Sequence, residues 1–321
     1  MIGYPQMTSI TRIEVEIPIR ALKTANVYLI DTGKHIILVD TGMDRSALGR
    51  ILPHLDELKP DYVFLTHMHI DHIGNAMEIS RKYGSRIIIG SGDYTRIRHI
   101  QEDPDFFRRM LSQLFMESGV PQSISESITG SHSLIENLKS YEEFKPDIMV
   151  EGTFRIQGGV LAVANPGHSP GSISLLLEDE DSIFTGDHIL PGITPNISFY
   201  DYETDSLGDY LESLKETGKL DLNLVYPGHR EPFSGLKERC DAILNHHMRR
   251  LNEVCEILKR PSTAYMVASA MRWSRGRTLE SMNPTEQNFA IGEAITHLVY
   301  LERSGKIGKE EKNGVFLYHL S

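Results

Sequence analysis

The stretch Thr66-His67-Met68-His69-Ile70-Asp71-His72 decides how this chain is read. Four metal-capable side chains so close together are not explained by packing or by solubility. In an extended segment residues i and i+2 point the same way, so His67 and His69 at a strand end would grip one ion together. Asp71 and His72 follow where the chain turns into a helix expected over Ile73 to Lys82, and from there they would face a second ion. The apolar run Tyr62-Val63-Phe64-Leu65 reads as the buried strand that delivers the cluster, and Tyr83-Gly84 as the end of the helix.

One loop cannot complete two ions, so further donors are expected at other strand ends. His168 follows Leu161-Ala162-Val163-Ala164 in a Pro- and Gly-rich loop, Asn165-Pro166-Gly167-His168-Ser169-Pro170-Gly171. Asp187 follows Ser182-Ile183-Phe184-Thr185-Gly186, and His229 follows Leu222-Asn223-Leu224-Val225-Tyr226 in Pro227-Gly228-His229. A lone His or Asp at such a place is more often a turn or surface group. Seven of them, in order and each after an apolar run, argue for a metal site. His188, beside Asp187, reads as a bystander.

The ordered set resembles the metallo-β-lactamase superfamily of hydrolases, through the His-x-His-x-Asp-His signature and its three downstream partners, over roughly residues 10 to 236. Asn26-Val27-Tyr28-Leu29-Ile30 with Ile36-Ile37-Leu38-Val39-Asp40-Thr41-Gly42 resembles that family's N-terminal hairpin, while Asn75 stands where many members have a second Gly. The resemblance implies an α/β fold, a four-layer αβ/βα sandwich. It also implies that His67, His69 and His168 hold one metal, that Asp71, His72 and His229 hold another, and that Asp187 bridges them. Asp40 reads either as a turn cap before Gly42 or, as matching residues do in the family, as the partner that orients a metal-bound His.

Imidazole and carboxylate donors without thiolate favour a borderline divalent ion, zinc first, with manganese and iron as alternatives. Two such ions about 3.5 to 4 Å apart lower the pKa of a bridging water towards about 7. The expected nucleophile is then metal-bound hydroxide, with Asp71 orienting the water and shuttling its proton. No Ser or Cys nucleophile is required. The leading expectation is hydrolysis of an acyl thioester or ester, in the manner of glyoxalase II, because a thiolate of pKa about 8.5 leaves without a dedicated general acid. The alternatives are a persulfide dioxygenase-like enzyme with one iron, or a lactonase, phosphodiesterase or ribonuclease of the same fold.

At 321 residues the chain has room for a large core and a smaller appendage. No apolar run is long enough to span a membrane, and Met1-Ile2-Gly3-Tyr4-Pro5-Gln6 lacks the pattern of a signal peptide, so a cytoplasmic enzyme is expected. Cys240 and Cys255 lie in one helical stretch, over about 20 Å apart along a straight helix, and are expected to be free thiols. The net charge of -11 disfavours a polyanionic partner. A small-molecule substrate, acyl or anionic, is expected, and a homodimer is left open.

Two regions depart from a minimal hydrolase. Within a catalytic domain of residues 1–236, an insertion over about 94–146 carries helical spacing at Phe106, Phe107, Met110, Leu111, Leu114 and Phe115, and again at Ile135, Leu138 and Tyr141. It reads as a cap on the core that also builds a pocket for an apolar or acyl group. Arg96, Arg98, His99, Arg108 and Arg109 read either as an anion-binding cluster or as a solvated helix face. Residues 237–321 are expected to form helices over Arg239 to Leu258, Ser262 to Met271 and Pro284 to Arg303, then a hairpin turning at Asn313-Gly314, a pattern that resembles a winged helix. Arg272, Arg275 and Arg277 around Trp273 are its best basic patch, while His246 and His247 need no metal to explain them.

Overall fold

The computed structural model describes residues 8–19, 22–130 and 137–321, apart from the side chain of Arg275. Two sheets face each other. The first runs β1 (Ser9–Glu16), β2 (Thr24–Asp31), β3 (Ile36–Val39), β4 (Tyr62–Phe64), β5 (Arg86–Gly90) and β6 (Ile148–Val150) in that spatial order, antiparallel as far as β3 and parallel from β3 to β6. The second runs β11 (Leu224–Pro227), β10 (Ser182–Gly186), β9 (Ile173–Leu177), β8 (Val160–Ala164) and β7 (Thr153–Gln157), with β10 and β11 its parallel pair.

The two-residue period of a strand explains the layering. Ile37, Val39, Phe64 and Ile88 of the first sheet meet Ala162, Leu175 and Phe184 of the second between the sheets. Their neighbours Leu38, Val63 and Ile87 turn outward onto α1 (Arg45–Glu57), where Ile51 and Leu55 are buried, and onto the helices that follow β4 and β5. On the far side Leu161, Leu176 and Ile183 pack under α8 (Ser206–Thr217) and α9 (Leu236–Ile257). The result is the expected four-layer α/β sandwich. Every predicted donor lies just beyond the C-terminal end of β4, β8, β10 or β11, Asp71 and His72 on a short helical turn and the others in loops.

The helix after β4 differs from the expectation. A short turn, α2 (Ile70–Ile73), contains Asp71 and His72, and a second helix, α3 (Ala76–Tyr83), follows after a break at Gly74 and Asn75. A Cβ on Gly74 would collide with the Met43 carbonyl, and the Asn75 amide donates to the carbonyls of Thr41 and Asp44 at 2.8 and 3.0 Å. The break thus locks α2 against the turn after β3. Gly84, at φ 74°, closes α3 as read from the sequence.

The insertion contains α4 (Ser91–Glu102), α5 (Phe106–Glu117), α6 (Gln122–Gly130) and α7 (Lys139–Glu142). In α5 the apolar stripe buries Leu111, Leu114 and Phe115. The helix expected around Leu138 and Tyr141 is a single turn, and Ile135 lies outside the described residues. In the C-terminal segment α9 is followed by α10 (Ala264–Ala270), capped by Thr263, and α11 (Pro284–Arg303), opened by a capping box between Asn283 and Glu286. A hairpin of β12 (Ile307–Lys312) and β13 (Val315–Leu320) turns through Asn313 and Gly314, both at positive φ. Leu251, Val254, Ile291 and Leu298 of this segment share one core with Ile183, Leu207 and Leu211. Cys240 and Cys255 are free, and no helix of the described residues is long and apolar enough to cross a membrane.

Between α9 and α11 two buried imidazoles touch. His297 Nδ1–H donates to the Glu293 carbonyl at 2.6 Å, so its Nε2 accepts from His247 Nδ1–H at 3.3 Å. Burial lowers the pKa of both; His297, His246 and Arg250 push His247 further down, while Glu293 offsets part of the fall at His297. The unfolded chain takes up protons below pH about 6.5 and the native pair resists them, so stability present at neutral pH is lost as pH falls. Urea denaturation should show wild type losing about 1 kcal/mol more than His297→Leu between pH 7.5 and 5.5.

Candidate metal centre

The strand ends bring all seven predicted donors to one place. Their donor atoms form three overlapping groups: His67, His69 and His168; His67, His72 and Asp187; and Asp71, His72 and His229. His69 is half-buried and the other six are buried. Close contacts join the groups. His69 Nδ1 lies 2.9 Å from His67 Nε2 and 3.1 Å from His168 Nε2. Asp187 reaches His72 Nε2 with Oδ1 at 3.7 Å and His229 Nε2 with Oδ2 at 3.4 Å, and Asp71 Oδ2 is 3.5 Å from His229 Nε2.

Each imidazole has its other nitrogen held, and this fixes which atom faces inward. His72 Nδ1–H donates to Asp40 Oδ2 at 2.7 Å, and His229 Nδ1–H to the Thr24 carbonyl at 2.7 Å. His168 Nδ1–H donates to the Asn196 carbonyl at 2.9 Å. Thr66 gives its hydroxyl proton to Asp40 at 2.9 Å and so accepts from His67 Nδ1–H at 3.0 Å. Tyr200 gives its proton to the His168 carbonyl at 3.1 Å and accepts from His69 Nε2–H at 3.2 Å. The atoms left to face inward are therefore Nε2 of His67, His72, His168 and His229, and Nδ1 of His69.

Such an arrangement fits a cation. Unprotonated nitrogens about 3 Å apart repel unless a positive charge lies between them, and among the described residues buried His72 Nε2, His229 Nε2 and Asp187 Oδ1 have no hydrogen-bond partner. The space is also kept clear of side chains. A Cβ on Gly228 would come within 2.6 Å of Asp187 Oδ1 and 2.8 Å of the His72 ring. Burial pushes His67 and His168 down and His69 down to about 3, so these imidazoles stay neutral. Burial also opposes charge on His72, yet Asp40, Asp71 and Asp187 raise it to about 10. The carboxylates therefore make one side of the centre attractive to positive charge.

Asp93 has no signal in the sequence that singled it out. Fully buried on α4, it accepts from Met68 N–H at 2.7 Å, Ser169 Oγ–H at 2.8 Å and Gly171 N–H at 2.7 Å. It thereby staples the loop of His67 and His69 to the loop of His168. Burial raises its pKa to about 6 despite these donors. Asp40 accepts from His72 Nδ1–H, the contact expected of an orienting partner. Tyr200 escaped the reading because it sits in an irregular loop far from any motif.

A family model described as the metallo-beta-lactamase superfamily matches residues 21–229. The chain belongs to that superfamily of metal-dependent hydrolases. The lactamase-like protein aptB of Emericella nidulans is 26% identical over 272 residues, 81% of this chain and 70% of that protein. An atrochrysone carboxyl ACP thioesterase of Aspergillus fumigatus is 24% identical over 238 residues, and this chain spans 59% of its length. The crystal structure of a metallo-beta-lactamase family protein from Thermus thermophilus has a TM-score of 0.80 at 25% identity, covering 97% of this chain and 98% of that one. That likeness extends through the C-terminal segment.

Other predicted groups lie outside the superfamily's metal loops. His188 points away, Nε2 against Thr217 Oγ1 at 3.0 Å. The basic cluster does not converge: Arg96 pairs with Asp201, Arg98 with Glu102 and Arg109 with Asp103. Arg277 pairs with Glu286, while Arg250 and not Arg272 stacks on Trp273, 4.5 Å from its ring centre. Asp93→Ala should lower stability by about 3 kcal/mol in urea denaturation, because buried donors on two loops lose their acceptor.

Proposed function

We propose that the protein hydrolyses acyl thioesters or esters using two divalent metal ions. The convergence of seven donors with their lone pairs turned inward carries this reading. His67, His69 and His168 would hold one ion and Asp71, His72 and His229 the other. Asp187 would bridge, since its two oxygens face different histidines. Two divalent ions there, zinc before manganese or iron, would supply a water activated near neutral pH and polarise the acyl oxygen.

The residues divide the remaining work. Asp71 sits on the first turn of α2 with Oδ2 facing His229, where a carboxylate can orient a water and receive its proton. The Asp40 and Thr66 network holds the donor rings in place as charge moves. Among the described residues no side chain stands out as a dedicated acid for the leaving group, which suits a thiolate. The thioesterase among the relatives points the same way.

Next to the centre, Arg96, His99, Ile100, Phe106, Phe107 and Met110 of the insertion line a narrow cleft with Met68 and Tyr200. Met68 lies between two donors in the sequence and Tyr200 touches His69. The apolar share of these walls suits the acyl part of a substrate, with Arg96, paired to Asp201, and His99 as the cleft's basic groups. The insertion then contributes shape, and the paired arginines contribute little free charge.

Elemental analysis of protein purified without chelators should give about two ions per chain. Asp71→Ala should reduce turnover of acyl thioesters by at least about a hundredfold while the fold survives. One iron per chain with no hydrolysis of thioesters, esters, lactones or phosphodiesters would sink the proposal in favour of an oxygenase. Across unbranched acyl thioesters, kcat/KM should rise about fourfold per methylene until the cleft is filled, and Phe107→Ala should flatten that slope. A flat series in wild type would remove the cleft from the account.

A further inference from the structure

Residues 196–204, between β10 and α8, make a strap that touches both the metal centre and the two regions outside the family's minimal core. On its inner side the Asn196 carbonyl accepts from His168 Nδ1–H at 2.9 Å, and Tyr200 accepts from His69 Nε2–H at 3.2 Å while donating to the His168 carbonyl at 3.1 Å. Two of the three histidines in one donor group are thus oriented by this one segment.

On its outer side the strap has no regular secondary structure of its own and is gripped from two directions. From the insertion, Arg96 pairs with Asp201, and the Tyr202 hydroxyl donates to Glu117 Oε2 at 2.9 Å. From the C-terminal segment, Arg303 at the end of α11 donates to the carbonyls of Tyr202 and Glu203 at 2.9 and 2.8 Å. Lys309 and Phe316 of the hairpin pack on the Tyr202 ring, at 5.3 and 6.1 Å from its centre. Ile197 is fully buried in the core that the C-terminal segment shares with the second sheet.

We infer that the C-terminal segment is a working part of the metal centre: through Arg303 and the strap it holds Tyr200 and Asn196 in place, and these present His69 by Nδ1 and His168 by Nε2. The physical reason is that an imidazole binds a cation only through an unprotonated, correctly aimed nitrogen, and its other nitrogen needs a partner to keep it so. An irregular strap cannot hold that aim alone. Tyr200 and Arg303 are positioning residues, and they act on the group formed by His67, His69 and His168. Among the described residues nothing ties them to Asp71, His72 and His229.

This inference rests on the cluster holding two ions, and the test separates the two ideas. The full chain is loaded with cobalt, and its metal content, visible spectrum and ion release to a chelator are compared in wild type, Tyr200→Phe, Arg303→Met and Arg250→Met, each checked for folding by circular dichroism. Arg250 anchors the same segment on Glu293, Glu253 and Trp273 without touching the strap, so its loss loosens the segment generally.

Tyr200→Phe, which keeps the ring, should release one of its two ions about 10- to 100-fold more readily, with only that ion's bands shifted. Arg303→Met should move the same ion in the same direction, Arg303→Lys should restore part of the effect, and Arg250→Met should leave both ions as in wild type. If Tyr200→Phe and Arg303→Met release cobalt as wild type does, the inference is overturned while the metal reading stands. If Arg250→Met matches Arg303→Met at equal loss of melting temperature, the effect is general loosening and the inference is again overturned. A wild type that binds no cobalt would overturn the metal reading itself.

Discussion

The carboxylate of Asp40 is the constraint on which the centre depends. It is buried just beyond β3, with its backbone at φ 61°, a left-handed conformation that Asp tolerates better than most residues. From there it accepts the Thr66 N–H at 2.8 Å and the Thr66 hydroxyl, and it takes His72 Nδ1–H at 2.7 Å. One side chain therefore fixes the end of β4, aims His72 directly and aims His67 through the threonine. A buried carboxylate with this many donors is costly to leave half-satisfied, so the network holds as a whole or not at all.

The legible and illegible parts of this chain divide along a physical line. The donors were legible because metal chemistry restricts the residue type and the strand ends restrict the place. Both constraints leave marks at short sequence distance, as in His67, His69, Asp71 and His72. The strands were legible for a similar reason, since a layer buried on both faces demands uninterrupted apolar runs such as Ile36-Ile37-Leu38-Val39. Asn313-Gly314 and the helix start at Pro284 belong with these, because a tight turn or a helix start accepts few residues.

What stayed hidden is held together by pairs remote in sequence. Asp93 meets Ser169 and Gly171 across 76 and 78 positions, and Tyr200 meets His69 across 131. No local pattern records such a contact, because the only requirement is that two surfaces arrive together. The break at Gly74 and Asn75 was hidden in the same way. Its cause is the Met43 carbonyl and the carbonyls of Thr41 and Asp44, over thirty positions away. The basic residues of the insertion misled in the opposite sense, since their clustering in sequence says nothing of Asp201, Glu102 and Asp103, which neutralise three of them.

The same division explains why substrate is harder to read than chemistry. Donor geometry tolerates little change, so it is written in a few residue types at fixed places. An acyl group asks only for a shaped apolar surface, which Phe, Met and Ile supply almost interchangeably. The cleft proposed for it is lined from α4 and α5, while the strap that borders it through Tyr200 is clamped by the insertion on one side and by Arg303 on the other. The insertion and the C-terminal segment are thus mechanically joined to the metal loops. Changes in the cleft that shift Tyr200 would be felt at His69, so the proposed acyl cleft and the histidine beside it would not change independently.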